Sequence, residues 1–140
     1  MKLTGKKAIV TGGSSGMGKA TSLLLAREGA SVAILDINDD EGQKTINSIN
    51  QSGGEAIFFK TDLCKSNEVN NSIEKIVNEY NKIDILFNHA GTIIIKSLHD
   101  STEKDYEYLM DMNVRSAFLV CSKVIPIMVK NGGGSIIITS

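Results

Sequence analysis

Three glycines mark the place where this chain can do chemistry. Gly12, Gly16 and Gly18 stand in the spacing Gly-x-x-x-Gly-x-Gly, with Ser14, Ser15 and Met17 among them. A β-branched and apolar run, residues 8–11, leads into them, and a helical pattern, residues 19–26, leads out. A strand, a glycine turn and a helix start present unpaired N–H groups and the positive end of a helix dipole. Glycine lets a ligand approach the backbone. The ligand suited to that place is a phosphate, and a pyrophosphate fits best.

The other residues with chemical potential fall at the ends of apolar runs. Asp36 ends the second run, where a carboxylate accepts hydrogen bonds from the two hydroxyls of an adenosine ribose. It would repel a 2′-phosphate, and Ser14, Ser15 and Ile37 supply no cation to hold one, so NAD is expected over NADP. Asp62 and Leu63 follow the third run. Asp62 can accept from an adenine amino group and Leu63 can pack on the adenine face, although Asp62 also reads as a turn or cap residue. After the fourth run comes Asn88-His89-Ala90-Gly91. Ala90 and Gly91 are small where a nucleotide would pass, and Asn88 reads as a tie between neighbouring strands. His89 could serve as a general base, but a histidine in a loop is more often structural. Asn113 sits in register with Met110 and Ala117 on an apolar stripe. A buried amide there needs partners, so it is either a structural cross-link or part of a polar relay.

These residues need a scaffold that brings the run ends together. Strands are expected at 7–11, 31–36, 55–60, 83–87 and 135–139, and helices at 16–28, 39–52, 66–81 and 102–130. The last helix carries an apolar stripe through Tyr106, Leu109, Met110, Val114, Ala117, Phe118, Cys121, Val124, Ile125 and Met128, and Pro126 is expected to kink it or end its regular part. Continuously apolar strands alternating with helices predict a parallel sheet covered on both faces. The fold class is therefore α/β, a doubly wound open sheet with strand order 3-2-1-4-5. In such sheets the ligand lies beyond the carboxyl ends of the strands, where the order reverses.

Composition narrows the field. The chain has 140 residues with a net charge of −1 and a pI near 6.1, so neither nucleic acid nor an anionic membrane is an expected partner. Residues 1–7 lack the apolar core of a signal peptide, and no apolar run is as long as a spanning helix, which points to a cytoplasmic protein. Cys64 and Cys121 share no CxxC spacing and read as reduced structural thiols. His89 and His99 form no metal-ligand pattern, so no metal is expected.

Taken together, Thr11-Gly12-x-x-x-Gly16-x-Gly18, Asp62-Leu63, Asn88-x-Ala90-Gly91, Asn113 and Gly134-Ser135-Ile136-Ile137-Ile138 resemble the short-chain dehydrogenase/reductase family in its single-domain form. The resemblance implies hydride transfer between a nicotinamide and an alcohol or carbonyl substrate, and a homo-oligomeric full-length protein. It also implies that Asn113 holds a water in a proton relay. The chain departs from the family pattern in two places. His89 stands where the pattern has a second asparagine. The family's Tyr-x-x-x-Lys pair is missing, since Asp84, Met110 and Met112 stand four residues after Tyr80, Tyr106 and Tyr108. Ser140 aligns one place before the family's catalytic serine. The expectation is thus an NAD-binding domain over 1–140, the N-terminal part of a longer enzyme, without activity by itself. Residues 136–138 would form a bare apolar edge, and the outer face of the helix at 102–130 would lack its usual cover. A different class of function, a non-catalytic nucleotide-binding or interaction module, would use the same edge and face. A phospho-receiver domain shares the architecture but needs an acidic cluster after the first strand, which this chain lacks.

Overall fold

The computed structural model describes residues 1–139, and Ser140 lies outside the described residues. Five strands alternate with helices: β1 (Lys7–Thr11), α1 (Gly16–Arg27), β2 (Ser31–Asp36), α2 (Asp39–Gln51), β3 (Glu55–Lys60), α3 (Ser66–Tyr80), β4 (Ile85–Asn88), α4 (Glu103–Met110), α5 (Ser116–Lys130) and β5 (Ser135–Ile138). All pairings are parallel, in the order β3-β2-β1-β4-β5. The sheet order inferred from the alternation is the one observed.

The period of two along β1 explains the two-layer cover. Ile9 points to one face and joins Leu35, Ile76, Leu86, Val120 and Val124 beneath α3 and α5. Ala8 and Val10 point to the other face and join Val32, Ile34 and Ile49 beneath α1 and α2. These side chains are fully buried or nearly so, and each large one stabilises the fold by about 1.5–3 kcal/mol relative to leaving it in water. The core is therefore continuous through the sheet, and its C-terminal edge is left to the polar residues.

Besides α1, α2 and α3 each ending one residue earlier than expected, three strand boundaries and one helix differ from the sequence-based expectation. β4 begins at Ile85, not Ile83. The Asp84 side chain takes the Lys7 N–H at 2.8 Å, a donor that a regular ladder would otherwise use. β4 also takes in Asn88, and β5 ends at Ile138.

The expected single helix over 102–130 is interrupted by a π-turn at Asp111–Arg115. Its local cause is Asn113, whose Nδ2 donates to the Leu109 carbonyl four residues back at 2.9 Å. A side chain that inserts into the i→i−4 ladder widens the turn. Pro126, expected to kink the helix or end its regular part, lies inside α5, which continues to Lys130 and so does not end there.

The expected stripe is buried only at its C-terminal end, at Val124 and Met128. Ser116, Val120, Val124 and Met128 form the row that faces the sheet. Tyr106, Val114, Phe118 and Ile125 are exposed. Residues Glu103–Lys130 are long and apolar enough to cross a membrane, contrary to the sequence-based reading, yet this helix lies along the sheet with its buried row in the core.

Candidate functional site

The loop after β1 is built around two glycines. Gly12 has φ +67°, and a Cβ there would lie 3.0 Å from the Ala90 Cα. A Cβ on Gly18 would lie 2.0 Å from the Gly12 carbonyl oxygen, so the first turn of α1 can sit against the loop only without one. α1 then starts bare. Ser15 makes no side-chain cap bond and no acid stands in the first turn. By contrast, Asn38 caps α2, and Thr102 and Asp105 form a capping box on α4. A helix start with a close-packed glycine turn and no competing cap has its N–H groups available for an anion.

Strand ends bring the remaining residues to this loop. A cavity of about 280 Å³ is lined by Gly12, Ser15 and Gly16 of this loop and by His89, Ala90 and Gly91 after β4. Asp36 and Ile37 after β2, and Asp62 and Leu63 after β3, complete it. The Asp36 carboxylate is oriented by two backbone donors. Oδ2 accepts from the Ser14 N–H at 3.1 Å and Oδ1 from the Asn38 N–H at 3.0 Å. Asp62 acts as a turn residue, its Oδ1 accepting from the Cys64 N–H at 3.1 Å, and it also lines the cavity.

Not every residue expected at the site reaches it. Ser14 is buried behind the loop, and its Oγ has no hydrogen-bond partner. Met17 is exposed on the first turn of α1 and does not line the cavity. Gly18 acts through close packing beneath the loop. Asn88 is buried and ties elements together. Its Oδ1 accepts from the Thr11 hydroxyl at 2.9 Å, and its Nδ2 donates to the Ala117 carbonyl at 3.2 Å.

Asn113 corrects the expectation of a buried amide, because it is exposed. Its Oδ1 accepts from the Thr92 N–H, and its Nδ2 donates to the Thr92 and Leu109 carbonyls. It pins the chain after Gly91 to the π-turn. A Cβ on Gly91 would come within 2.5 Å of Asn113 Oδ1.

Thr61 and Met112 also line the cavity, and sequence reasoning missed both. Thr61 carried a local signal, since it directly precedes Asp62 at the end of β3. Met112 carried none, because only the π-turn brings it across the cavity. There its Sδ lies 3.3 Å from the Cys64 thiol. Partial burial, followed by the carboxylates of Asp62 and Asp111, raises the Cys64 thiol pKa, so the thiol is held protonated. Both cysteines are free thiols. Among the described residues, no cluster of three metal-ligating side chains occurs. A groove of about 460 Å³ between α3 and α5 is larger, but its walls are helix flanks such as Ile73 and Ile127 rather than a turn of free N–H groups.

A family model described as short chain dehydrogenase matches residues 6–140. An uncharacterized oxidoreductase of Thermotoga maritima is 36% identical over 137 residues, covering 98% of this chain and 54% of that protein. A 3-oxoacyl-acyl-carrier-protein reductase of Chlamydia pneumoniae is 39% identical over 135 residues, covering 96% of this chain and 54% of that protein. The solved structure of a 7α-hydroxysteroid dehydrogenase complexed with NADH and 7-oxo glycochenodeoxycholic acid superposes with a TM-score of 0.92. It is 36% identical, with 96% of this chain and 52% of that chain covered. The chain spans about half the length of the curated relatives it matches. The uncapped glycine turn, the strand-end cavity and the match over residues 6–140 agree, and the chain belongs to the short-chain dehydrogenase family.

Proposed function

We propose that the strand-end cavity binds NAD(H), and that these residues form the cofactor half of an NAD-dependent oxidoreductase acting on alcohol or carbonyl substrates. The observation that carries this reading is Asp36. Its carboxylate lines the cavity while the Ser14 and Asn38 N–H groups fix its orientation. An oriented carboxylate suits a ribose diol and repels a 2′-phosphate, and among the described residues no lysine or arginine lines the cavity to offset that repulsion. When bound, the nicotinamide ring supplies the hydride or accepts it.

The chain's own residues then divide the work. The start of α1, with Gly16 and Gly18, holds the pyrophosphate, and Gly12 and Ala90 keep the backbone low enough for close approach. Leu63, Met112 and Asp62 line the cavity, where Leu63 and Met112 would pack on the adenine and Asp62 would accept from its amino group. Asn113 holds Gly91 and Thr92 in place. Both of its amide hydrogens are already donated, so a relay water there is held through an oxygen atom. No tyrosine in these residues has a lysine four places on, so we expect nucleotide binding by this chain without turnover. The exposed apolar face of Tyr106, Val114, Phe118 and Ile125 supports a homo-oligomeric full-length protein.

Calorimetric titration with NAD and NADP tests the reading. NAD is expected to bind at least about tenfold more tightly, a difference of about 1.4 kcal/mol. Asp36→Ser should narrow that ratio by weakening NAD and admitting NADP. Equal or tighter binding of NADP by the native chain would overturn the assignment.

A further inference from the structure

Two neighbouring residues that line the cavity, Thr61 and Asp62, are both tied to α3. The Thr61 hydroxyl lies 2.7 Å from Ser72 Oγ. The Asp62 N–H donates to Glu68 Oε2 at 2.8 Å. Glu68 and Ser72 stand one helical turn apart, so they project from the same side of α3. Thr61 and Ser72 are buried, and the Thr61 N–H donates to the Asp36 carbonyl at 2.8 Å. The end of β3 is thereby fixed between α3 and the end of β2.

The Glu68 contact is not an ordinary helix cap. Glu68 is the third residue of α3, where a capping-box carboxylate reaches back to the N-cap N–H, as Asp105 does on α4. On α3 the N-cap is Lys65, whose side chain makes no cap bond, and its N–H goes to the Asp62 carbonyl at 3.0 Å. Glu68 reaches past it to Asp62. Its other oxygen, Oε1, takes Lys65 Nζ at 3.2 Å, and the same ammonium lies 3.4 Å from Asp62 Oδ2. Lys65 therefore stands between two carboxylates and offsets their repulsion. The Asp62 N–H, followed by Lys65, lowers the Glu68 pKa and keeps that side chain ionised.

Asp62 is thus held by its N–H on Glu68, by Oδ1 on the Cys64 N–H and by Oδ2 on Lys65. A carboxylate has about four acceptor sites, so Cys64 and Lys65 leave room for a further donor. We infer that Glu68 is a positioning residue for base recognition: by clamping the Asp62 N–H and holding Lys65 against its carboxylate, it fixes the acceptor that selects a purine carrying an exocyclic amino group. The inference rests on the nucleotide reading of the cavity. Glu68 itself does not line the cavity, so its effect reaches the ligand through Asp62. A ligand donor gains more from an acceptor already fixed in place than from one that binding must first order.

ADP-ribose and its analogue with unsubstituted purine in place of adenine isolate the amino group. The native chain is expected to bind ADP-ribose roughly three- to tenfold more tightly, the size of one charge-assisted hydrogen bond in a partly open cleft. In Glu68→Ala that ratio should fall below about twofold, with most of the change in ADP-ribose affinity. Glu68→Gln restores a carbonyl acceptor for the Asp62 N–H and should recover at least about half of the native ratio. Both ligands are measured on the same variant, so a loss of folded protein weakens them equally and cancels from the ratio. A purely structural role for Glu68 would weaken both ligands together and leave the ratio unmoved, which would overturn the inference. Equal binding of the two ligands by the native chain, or a Glu68→Gln ratio no higher than that of Glu68→Ala, would do the same while the nucleotide reading stands. Binding of neither ligand to the native chain would overturn both.

Discussion

The Thr11 hydroxyl donates to Asn88 Oδ1 at 2.9 Å and is fully buried between β1 and β4. The same oxygen accepts the N–H groups of His89 at 2.9 Å and Ala90 at 3.0 Å. One hydroxyl therefore closes the end of β1, anchors a buried amide and shapes the turn that lines the cavity. Asn88 passes the connection on to α5 through the Ala117 carbonyl.

Thr11→Val keeps the shape and removes the oxygen. It leaves the Asn88 carboxamide oxygen and two turn N–H groups short of partners. At about 1–3 kcal/mol for each buried group left unsatisfied, with partial relief by relaxation, a loss of about 2–4 kcal/mol is expected. Urea denaturation should show a lowered midpoint with an unchanged slope. Thr11→Ser restores the hydroxyl and should recover most of the loss. A Val variant as stable as the native chain would refute the role given to this oxygen.

Gly18→Ala tests the close packing of α1 on the glycine turn. The added Cβ would fall 2.0 Å from the Gly12 oxygen and 2.8 Å from its carbonyl carbon. Both obstacles are backbone, so relief requires the helix start to move. NAD affinity is expected to drop by at least about tenfold, because positioned N–H groups are what the site offers. Gly5→Ala makes a useful comparison, since its Cβ would meet nothing within 4 Å. It carries only the strain of a positive φ, remote from the cavity.

The acid side of the stability curve should carry a contribution from Asp105. Its Oδ2 accepts from Lys96 Nζ at 2.6 Å, Thr102 N–H at 2.8 Å and Thr102 Oγ1 at 2.9 Å. The Lys96 ion pair, followed by the Thr102 bonds, lowers its pKa from 3.8 to about 2. Because the folded value lies below the roughly 3.9 of an unfolded aspartate, folding favours the ionised form. That contribution is complete above about pH 4 and is lost as pH falls through about 2. Stability measured at steps between about pH 5 and 2 should therefore fall more steeply in the native chain than in Asp105→Asn. Parallel curves would show that the capping box contributes nothing through charge.

How much could be read along the chain depended on how local each determinant was. The glycine turn, Asp36, Asp62 and Asn88–Gly91 announce themselves because each ends a strand. A parallel sheet then carries all its strand ends to one edge whatever the details of packing. The long helix was different. Its sequence holds two apolar rows, one through Val114, Phe118 and Ile125 and one through Val120, Val124 and Met128. Periodicity alone cannot choose between rows a short rotation apart. The sheet buries the second, and the π-turn at Asp111–Arg115 shifts the phase between α4 and α5, by about 100° for one extra residue.

Asn113 shows the same division. Its residue type and place were legible, but its exposure and its hold on Thr92 were not. Those depend on a partner 21 residues away in sequence. By itself the sequence determined the strand order, the glycine turn and the acid at the end of β2, since each follows from local pattern and parallel connection. Only the tertiary structure decided which helix face is buried and that Met112 and Thr61 join the cavity. Those outcomes depend on helix rotation and on distances between segments that no local pattern encodes.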